Sequence, residues 1–246
     1  MISQDYVDRI LDACPIEVYL SANDGAQTSW PFRMQPTHEA NYRYADIAET
    51  FVVDSAWQKP ELGNRDALDK GAELGADVVV LADVFGDCDA TVDALLEGLE
   101  VADDHEFGGK LMLPLQPPHD KCYLEIGDHD DVWWAIGGVK DWHATEKVQA
   151  AETLRGVAGD VRLHGLGWGA TDEVVRAVRE NPSLVDSIDS RSSHADAMEH
   201  PVWPGSERST VTAVHCVAHL LEACRRMSPE LSEDPDAGNQ TLEAWA

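Results

Sequence analysis

Three aspartates stand at the ends of short apolar runs of the sequence. Asp54 ends TFVVD, Asp83 ends DVVVLAD and Asp189 ends LVDSID. Carboxylates that share one pocket repel one another, so their pKa values separate and one acid stays ionised while another keeps its proton. The ionised carboxylate can act as a nucleophile and the protonated one as a general acid. The three aspartates therefore suit covalent catalysis, provided that the fold brings them together.

Other apolar runs end on amide, glycine or imidazole groups. Gln116 ends KLMLPLQ, Gly137 and Gly138 end DVWWAIGG, and His164 lies in DVRLHGLG. Amides hydrogen bond polar ligands, and glycine allows a ligand to approach the main chain closely. Each of these residues alone would be read as a loop or capping residue. Their shared position after apolar runs indicates a site, because the carboxyl ends of barrel strands meet at one mouth.

A cluster of potential metal ligands lies further along the chain. His215, Cys216 and His219 share one face of a helix, with Cys224 five residues beyond His219. This spacing predicts a structural zinc site, and the alternative is a buried helix face that uses cysteine as a small apolar residue. The five cysteines form no CxxC pair, which favours reduced thiols. The proposed carboxylate chemistry itself requires no cofactor.

The spacing of the apolar runs predicts the fold. They alternate with amphipathic stretches and lie at residues 16–20, 50–54, 77–83, 110–116, 131–138, 160–167 and 184–189. Continuous apolar strands are typical of a parallel sheet covered on both faces by helices. A dinucleotide-binding sheet is disfavoured, because SANDGAQTSW rather than GxGxxG follows the first run. The pattern favours an α/β fold, a compact TIM (β/α)8-type barrel with one strand not evident and an irregular last strand.

Composition sets the remaining expectations. The 246 residues include 46 acidic and 18 basic side chains, a formal net charge of −28, and only six of the basic residues are lysine. Such a surface is best screened in molar salt and is similar to proteins of salt-accumulating archaea or their viruses. The first residues lack the pattern of a signal peptide and no apolar stretch suits a membrane, so we expect a cytoplasmic protein. We predict one domain over residues 1–227 and a polar, disordered tail over 228–246.

The order of the strand-end segments resembles a known enzyme family. The segments are DSA at 54–56, LGADVVVLAD at 74–83, LPLQP at 113–117, AIGGVK at 135–140, HGLGWG at 164–169 and VDSIDSRS at 185–192. Together they resemble the tRNA-guanine transglycosylases, and especially the shorter DNA 7-deazaguanine transglycosylases of phages and mobile elements. Each segment is short and degenerate, so the resemblance depends on their common order over residues 50–192.

The resemblance implies a role for each catalytic aspartate. Asp189 matches the family nucleophile, which attacks the sugar C1′ and expels guanine. Asp54 matches the acid that moves protons on the leaving and incoming bases. The family's DSGG pattern becomes Asp54-Ser55-Ala56-Trp57 here. A TIM barrel that exchanges guanine for a 7-deazaguanine base through an aspartyl-glycosyl intermediate is therefore the expected enzyme.

The resemblance also implies a base-binding set. Asp83 and Gln116 match groups that hydrogen bond the purine edge, and Gly137 and Gly138 fall where the family's glycine pair lets a backbone amide approach the base. His164, at the next strand end, is assigned to the same pocket.

The implied partners are guanine-containing DNA and a free 7-deazaguanine base, with no membrane, and a homodimer is left open. Lys140 and Arg191 are the candidate phosphate contacts. The CxCxxC zinc motif of the tRNA enzymes is absent, which favours DNA over tRNA. Two alternatives stay open, a tRNA-guanine transglycosylase and a non-catalytic halophilic barrel protein. A metal-dependent barrel hydrolase is disfavoured because no HxH follows the first strand.

Overall fold

The computed structural model describes residues 4–21, 30–55, 59, 61–191, 195, 198–202 and 205–232. Eight parallel strands form a closed barrel in chain order, and β8 pairs with β1 to complete it. The strands are β1 (Glu17–Leu20), β2 (Phe32–Pro36), β3 (Thr50–Asp54), β4 (Val78–Val80), β5 (Lys110–Leu115), β6 (Trp133–Ile136), β7 (Leu163–Gly165) and β8 (Ser187–Ser190). The predicted TIM (β/α)8 barrel is confirmed.

Helices alternate with the strands and cover the barrel. In the described ranges they are α1 (Gln4–Ala13), α2 (Tyr42–Ala45), α3 (Asn64–Leu74), α4 (Cys88–Asp103), α5 (His119–Ile126), α6 (Ala144–Ala158), α7 (Asp172–Glu180), α8 (Arg208–Met227) and α9 (Pro229–Ser232). The side chains between the barrel wall and the helices form the largest apolar cluster, and a smaller cluster fills the barrel interior. No helix of the described residues is long and apolar enough to cross a membrane.

The strand that the sequence pattern did not reveal is β2, whereas the last strand is regular and pairs with both neighbours. In β2, Met34 packs in the barrel interior, but the alternate residues Arg33 and Gln35 are polar and fully buried. The guanidinium of Arg33 lies 4.6 Å from the centre of the Tyr44 ring of α2, a cation–π arrangement. These two polar residues interrupt the apolar run by which the other strands were recognised.

The start of the predicted tail is folded. The Ser228 N–H donates to the Cys224 carbonyl at 3.1 Å, and the Ser228 hydroxyl accepts from the Leu231 N–H at 3.2 Å. Ser228 is buried, and α9 packs against α8 and α1. Residues 228–232 therefore extend the domain, and residues 233–246 lie outside the described residues.

Two aspartates join the barrel strands in the same way, four strands apart. Asp77, just before β4, accepts the Phe51 N–H on its carboxylate at 2.8 Å and donates its own N–H to the Phe51 carbonyl. Asp186, just before β8, does the same with Leu163 at 2.6 Å and also pairs with Arg155 of α6 at 2.8 Å. Each side chain thus satisfies a strand N–H at the amino-terminal end of the barrel, opposite the mouth.

We expect Asp186→Ala to destabilise the protein by about 1–3 kcal/mol, because the Leu163 N–H loses its acceptor and Arg155 loses its partner. Asp93→Ala, which removes an exposed acid from α4, is the control and should change stability by no more than about 0.5 kcal/mol. Urea unfolding followed by circular dichroism measures both. Equal, small effects of the two substitutions would show that Asp186 does not hold the strands.

Candidate active site

The predicted strand-end residues lie at the carboxyl end of the barrel. Asp54 is the last residue of β3, Asp83 follows β4, and Asp189 belongs to β8. They are close enough for the charges of Asp189 and Asp83 to affect the titration of Asp54. The structure therefore brings the three predicted carboxylates into one electrostatic cluster at the barrel mouth.

Asp189 is held in a site that favours its ionised form. Its two carboxylate oxygens accept hydrogen bonds from the Gly167 N–H and, at 2.9 Å, from the Ser21 hydroxyl. Burial favours the neutral acid, yet the His164 ring, the Gly167 N–H and the Ser21 hydroxyl together hold the pKa of Asp189 below its usual value. A buried carboxylate fixed on both oxygens is suited to act as a nucleophile.

Asp54 and Asp83, unlike Asp189, lie in sites that favour their protonated forms. Burial, reinforced by the negative charges of Asp189 and Asp83, holds the pKa of Asp54 well above its usual value. Burial also raises the pKa of Asp83 to about 6, against the opposing effect of a hydrogen bond from Gln116. The surroundings therefore favour the ionised form of Asp189 and the protonated form of Asp54 at the same mouth.

Gln116 fixes the position of Asp83. Its side chain is fully buried just after β5; the amide nitrogen donates to Asp83 Oδ2 and the amide oxygen accepts the Gly86 N–H at 2.8 Å. The segment before Asp83 is also fixed, because the Asn64 side chain accepts the Ala82 N–H at 2.7 Å. In this structure Gln116 thus contacts Asp83 directly, whereas the sequence assigned both residues to the base.

The glycine pair makes room for Gln116. A Cβ on Gly137 would lie 2.7 Å from Gln116 Nε2, and one on Gly138 would lie 2.2 Å from Gln116 Oε1. Gly138 also has φ +71, which side-chain-bearing residues rarely adopt. The Gly137 carbonyl is within hydrogen-bonding distance of the buried His119 ring at 2.9 Å. Glycine is therefore required at positions 137 and 138, because the Gln116 side chain leaves no room for a Cβ.

His164 lies below the mouth rather than in it. The ring is fully buried, its Nδ1 is 2.8 Å from the Ser187 hydroxyl, and its Nε2 is 3.6 Å from Asp189 Oδ1. That separation is too long for a hydrogen bond but close enough for electrostatic interaction. The structure thus places His164 against Asp189, and its assignment to the base-binding set stays a prediction.

The two predicted phosphate contacts are exposed near the mouth. Lys140 lies two residues after Gly138. Its main chain is next to Gly167, the residue whose N–H donates to Asp189. Arg191 directly follows β8. Both side chains are exposed, so both are accessible to an anionic ligand.

The four predicted zinc ligands do not converge. Cys216 is buried in the apolar core, and the buried Cys224 thiol is hydrogen bonded with Cys14, which directly follows α1. His215 and His219 instead lie beside His200. In the described ranges, the one group of three His, Cys, Asp or Glu donors within 4.8 Å of one another is Cys88, Asp89 and Glu125. A mixed thiolate–imidazole site on α8 is therefore not formed, because the cysteines face the core.

Sequence reasoning missed the residues that hydrogen bond Asp189. Ser21 and Gly167 lie in the loops after β1 and β7, at the ends of the apolar runs 16–20 and 160–167, but their contacts with Asp189 join distant parts of the chain and leave no local signal. Lys147 of α6 is buried and donates to the Trp168 carbonyl at 3.0 Å, which anchors the same loop. Burial lowers the pKa of Lys147, against the opposing charges of Asp189 and Asp141.

An exposed aromatic residue also lies at the mouth. Phe85 follows Asp83 by two positions and is 57% exposed. The next residue, Gly86, donates to Gln116, which fixes the loop carrying the ring. Phe85 thus places an aromatic ring beside the carboxylates of the mouth.

Comparison with known protein families and with curated protein sequences gives no match. Solved structures match over nearly the whole chain. The YdjI aldolase from Escherichia coli K12 gives a TM-score of 0.57 at 10% identity, covering 94% of this chain and 99% of that one. A Coccidioides immitis protein assigned as a fructose-1,6-biphosphate aldolase gives 0.51 at 12% identity, covering 96% and 97%. At these identities the likeness shows the barrel fold alone.

The raised pKa of Asp83 predicts a pH dependence of stability. The folded protein binds this proton more tightly than the unfolded chain, so its contribution is complete below about pH 4 and is lost as the pH rises through about 6. Asp83→Asn is uncharged at every pH, and we expect it to gain up to about 2 kcal/mol relative to the wild type across that interval. Urea unfolding at a series of pH values measures this difference, with Asp93→Asn as the matched control. A difference that does not change with pH would contradict the assignment.

Proposed function

We propose that this protein is a transglycosylase that exchanges guanine in DNA for a 7-deazaguanine base through a covalent aspartyl-glycosyl intermediate. The observation that supports it is that one mouth brings together Asp189, a doubly hydrogen-bonded carboxylate with a lowered pKa, and Asp54, a carboxyl group with a raised pKa. Base exchange with a covalent intermediate needs both forms at once, a nucleophile for the sugar and an acid for the leaving base.

In the first half of the reaction, an oxygen of Asp189 attacks C1′ of the target nucleotide. The bond between C1′ and N9 breaks, its electron pair stays with guanine, and the proton of Asp54 neutralises the departing base. An ester now joins Asp189 to the sugar, and Asp54 is ionised. The hydrogen bonds from Ser21 and Gly167 orient the carboxylate for this attack.

In the second half, the 7-deazaguanine base occupies the position that guanine has left. Asp54 takes the proton from N9 of the incoming base, N9 attacks C1′, and the ester bond breaks to release the Asp189 carboxylate. Both aspartates return to their starting forms, so the exchange needs no oxidant, reductant or cofactor.

Asp83, supported by Gln116, recognises the base. Asp83 offers a carboxylate to the neighbouring N–H groups on the guanine edge, which 7-deazaguanine shares, and Gln116 fixes its orientation. The base has to leave the stack before C1′ and this edge become accessible. The exposed ring of Phe85 provides a surface on which the extruded base stacks.

We expect Asp189→Asn to abolish the exchange of radiolabelled guanine into DNA, because the amide has the same shape but is a far weaker nucleophile. Asp93→Asn, which also removes one negative charge, should exchange at the wild-type rate. Circular dichroism establishes that both variants are folded. Continued exchange by folded Asp189→Asn would rule out Asp189 as the nucleophile.

The substrate and the salt dependence are tested with the same assay on duplex DNA, single-stranded DNA and tRNA across a KCl series. We expect activity on DNA that rises toward molar KCl, because a formal charge of −28 repels both itself and phosphate at low salt. The Debye length falls from about 10 Å at 0.1 M to about 3 Å at 1 M. Activity confined to tRNA would contradict the DNA assignment. Activity that is highest at low salt would contradict the halophilic interpretation.

A further inference from the structure

His164 is a fully buried histidine that lies beside the candidate nucleophile without completing a hydrogen bond to it. It belongs to β7, and its Nε2 has no hydrogen-bond partner among the residues that the structure describes. That nitrogen lies 3.6 Å from Asp189 Oδ1. Buried polar atoms of folded proteins almost always have a partner, so an unpartnered nitrogen next to a reactive carboxylate requires an explanation.

The other ring nitrogen indicates where the ring proton lies. His164 Nδ1 is 2.8 Å from the hydroxyl of Ser187, which belongs to β8 and is also fully buried. In the described part of the chain this ring is the one hydrogen-bond partner of that hydroxyl, and a buried hydroxyl needs an acceptor for its proton. When Ser187 donates to Nδ1, the ring carries its proton on Nε2. The unpartnered nitrogen is then a donor beside the Asp189 carboxylate.

The two carboxylate oxygens of Asp189 have different surroundings. Oδ1 accepts the Gly167 N–H and is the oxygen near His164, whereas Oδ2 accepts the hydroxyl of Ser21 at 2.9 Å. Oδ1 therefore lies between a main-chain donor and a buried ring. The Ser21 hydroxyl is on a rotatable side chain and can donate elsewhere when a substrate arrives. Oδ2 is thus the oxygen better placed to form a new bond, and Oδ1 is the one that stays within reach of protein donors.

We infer that Asp189 attacks through Oδ2, and that His164 and the Gly167 N–H together stabilise the charge that returns to Oδ1 when the ester breaks. This inference rests on the proposed base exchange and extends it to the step that releases the sugar. In that step Asp54 takes the proton from N9 of the incoming base, N9 forms its bond to C1′, and the bond between C1′ and Oδ2 breaks. The electron pair of that bond returns to the carboxylate and spreads over both oxygens, so a donor at Oδ1 stabilises the leaving group. His164 acts through Asp189 and is therefore a positioning residue.

The movement that this role requires is small. A good N–H···O hydrogen bond has about 2.7–3.2 Å between nitrogen and oxygen, only slightly shorter than the observed 3.6 Å. Hydrogen bonds of catalytic groups are often long in ligand-free enzymes and shorten when the substrate is bound. The Tyr19 ring packs edge-on against His164, with 5.8 Å between centroids and an interplanar angle of 77°, and limits how far the ring can tilt.

The first test locates the ring proton and needs neither a variant nor a nucleic acid. A long-range ¹H–¹⁵N correlation spectrum of the wild-type protein with ¹⁵N-labelled histidine distinguishes a protonated ring nitrogen from an unprotonated one. The His164 ring is assigned through its contacts with Tyr19. We expect a proton on Nε2, and an Nε2 without a proton would overturn the proposal. Because no exchange is measured, this result does not depend on the proposed function.

The second test separates the two halves of the exchange. His164→Asn places an amide where Nδ1 lies and removes the donor to Asp189, whereas the matched variant His164→Gln extends an amide N–H toward the position of Nε2. Rapid-quench measurements give the rate at which the adduct forms on a guanine-containing DNA oligonucleotide and the rate at which it is lost after 7-deazaguanine is added. We expect His164→Asn to slow adduct loss by at least about tenfold, the usual strength of a hydrogen bond to a charged group. Adduct formation should not be slowed, because a carboxylate with fewer donors is no weaker as a nucleophile. His164→Gln should restore much of the rate of adduct loss.

A purely structural role of His164 predicts a different result. It would slow both halves alike, and that result, or equal rates of adduct loss in His164→Asn and the wild type, would overturn the proposal. Circular dichroism establishes that both variants are folded. A wild type that exchanges guanine while His164→Asn keeps its rate of adduct loss contradicts this inference alone. A wild type that forms no adduct contradicts the proposed function, and the role of His164 in ester cleavage with it, whereas the position of the ring proton is still decided by the first test.

Discussion

The repulsion between like charges at the barrel mouth is the constraint on which the site depends. Asp54, Asp83 and Asp189 cannot all be ionised in a partly buried cluster, and the surroundings determine which one is. Asp189 receives hydrogen bonds from Ser21 and Gly167, whereas burial and its two acidic neighbours raise the pKa of Asp54. The opposite pKa shifts of Asp189 and Asp54 therefore follow from the positions of neighbouring hydrogen-bond donors and charges and not from the residue type.

The barrel provides those donors because its strands are fixed at the opposite end. Asp77 and Asp186 bind strand N–H groups beneath the mouth, and Asp186 also joins β7 to β8. The loop after β7 then wraps around Asp189, with the Gly169 N–H donating to the Asp189 carbonyl at 3.0 Å and Lys147 bound to the Trp168 carbonyl. Lys147 also lies close enough to Asp189 for the charge of Asp189 to affect its titration. The joined strands of the lower barrel and the anchored upper loop together position Asp189.

The sequence predicted the parts of this arrangement that have a local signal. Seven strands have continuous apolar runs, and the carboxylates were found because each ends such a run. Strand β2 was missed because Arg33 and Gln35 are polar and yet fully buried, with Arg33 packed on the Tyr44 ring of α2, a tertiary effect that a hydrophobic pattern does not show. Ser21, Gly167 and Lys147 were missed because their importance comes from contacts across the fold. His200 was missed as a neighbour of His215 and His219 for the same reason, since a loop brings it to the helix.

The central claim is that Asp189 forms a bond to the sugar of a nucleotide. Its most direct test is mass-spectrometric mapping of the wild-type protein after it is mixed with a guanine-containing DNA oligonucleotide, without the incoming base, and quenched in denaturant. The account predicts a nucleotide adduct on the peptide that contains Asp189, and its release when 7-deazaguanine is added before the quench. An adduct on the peptide of Asp54 or Asp83, or guanine exchange without any covalent adduct, would contradict it.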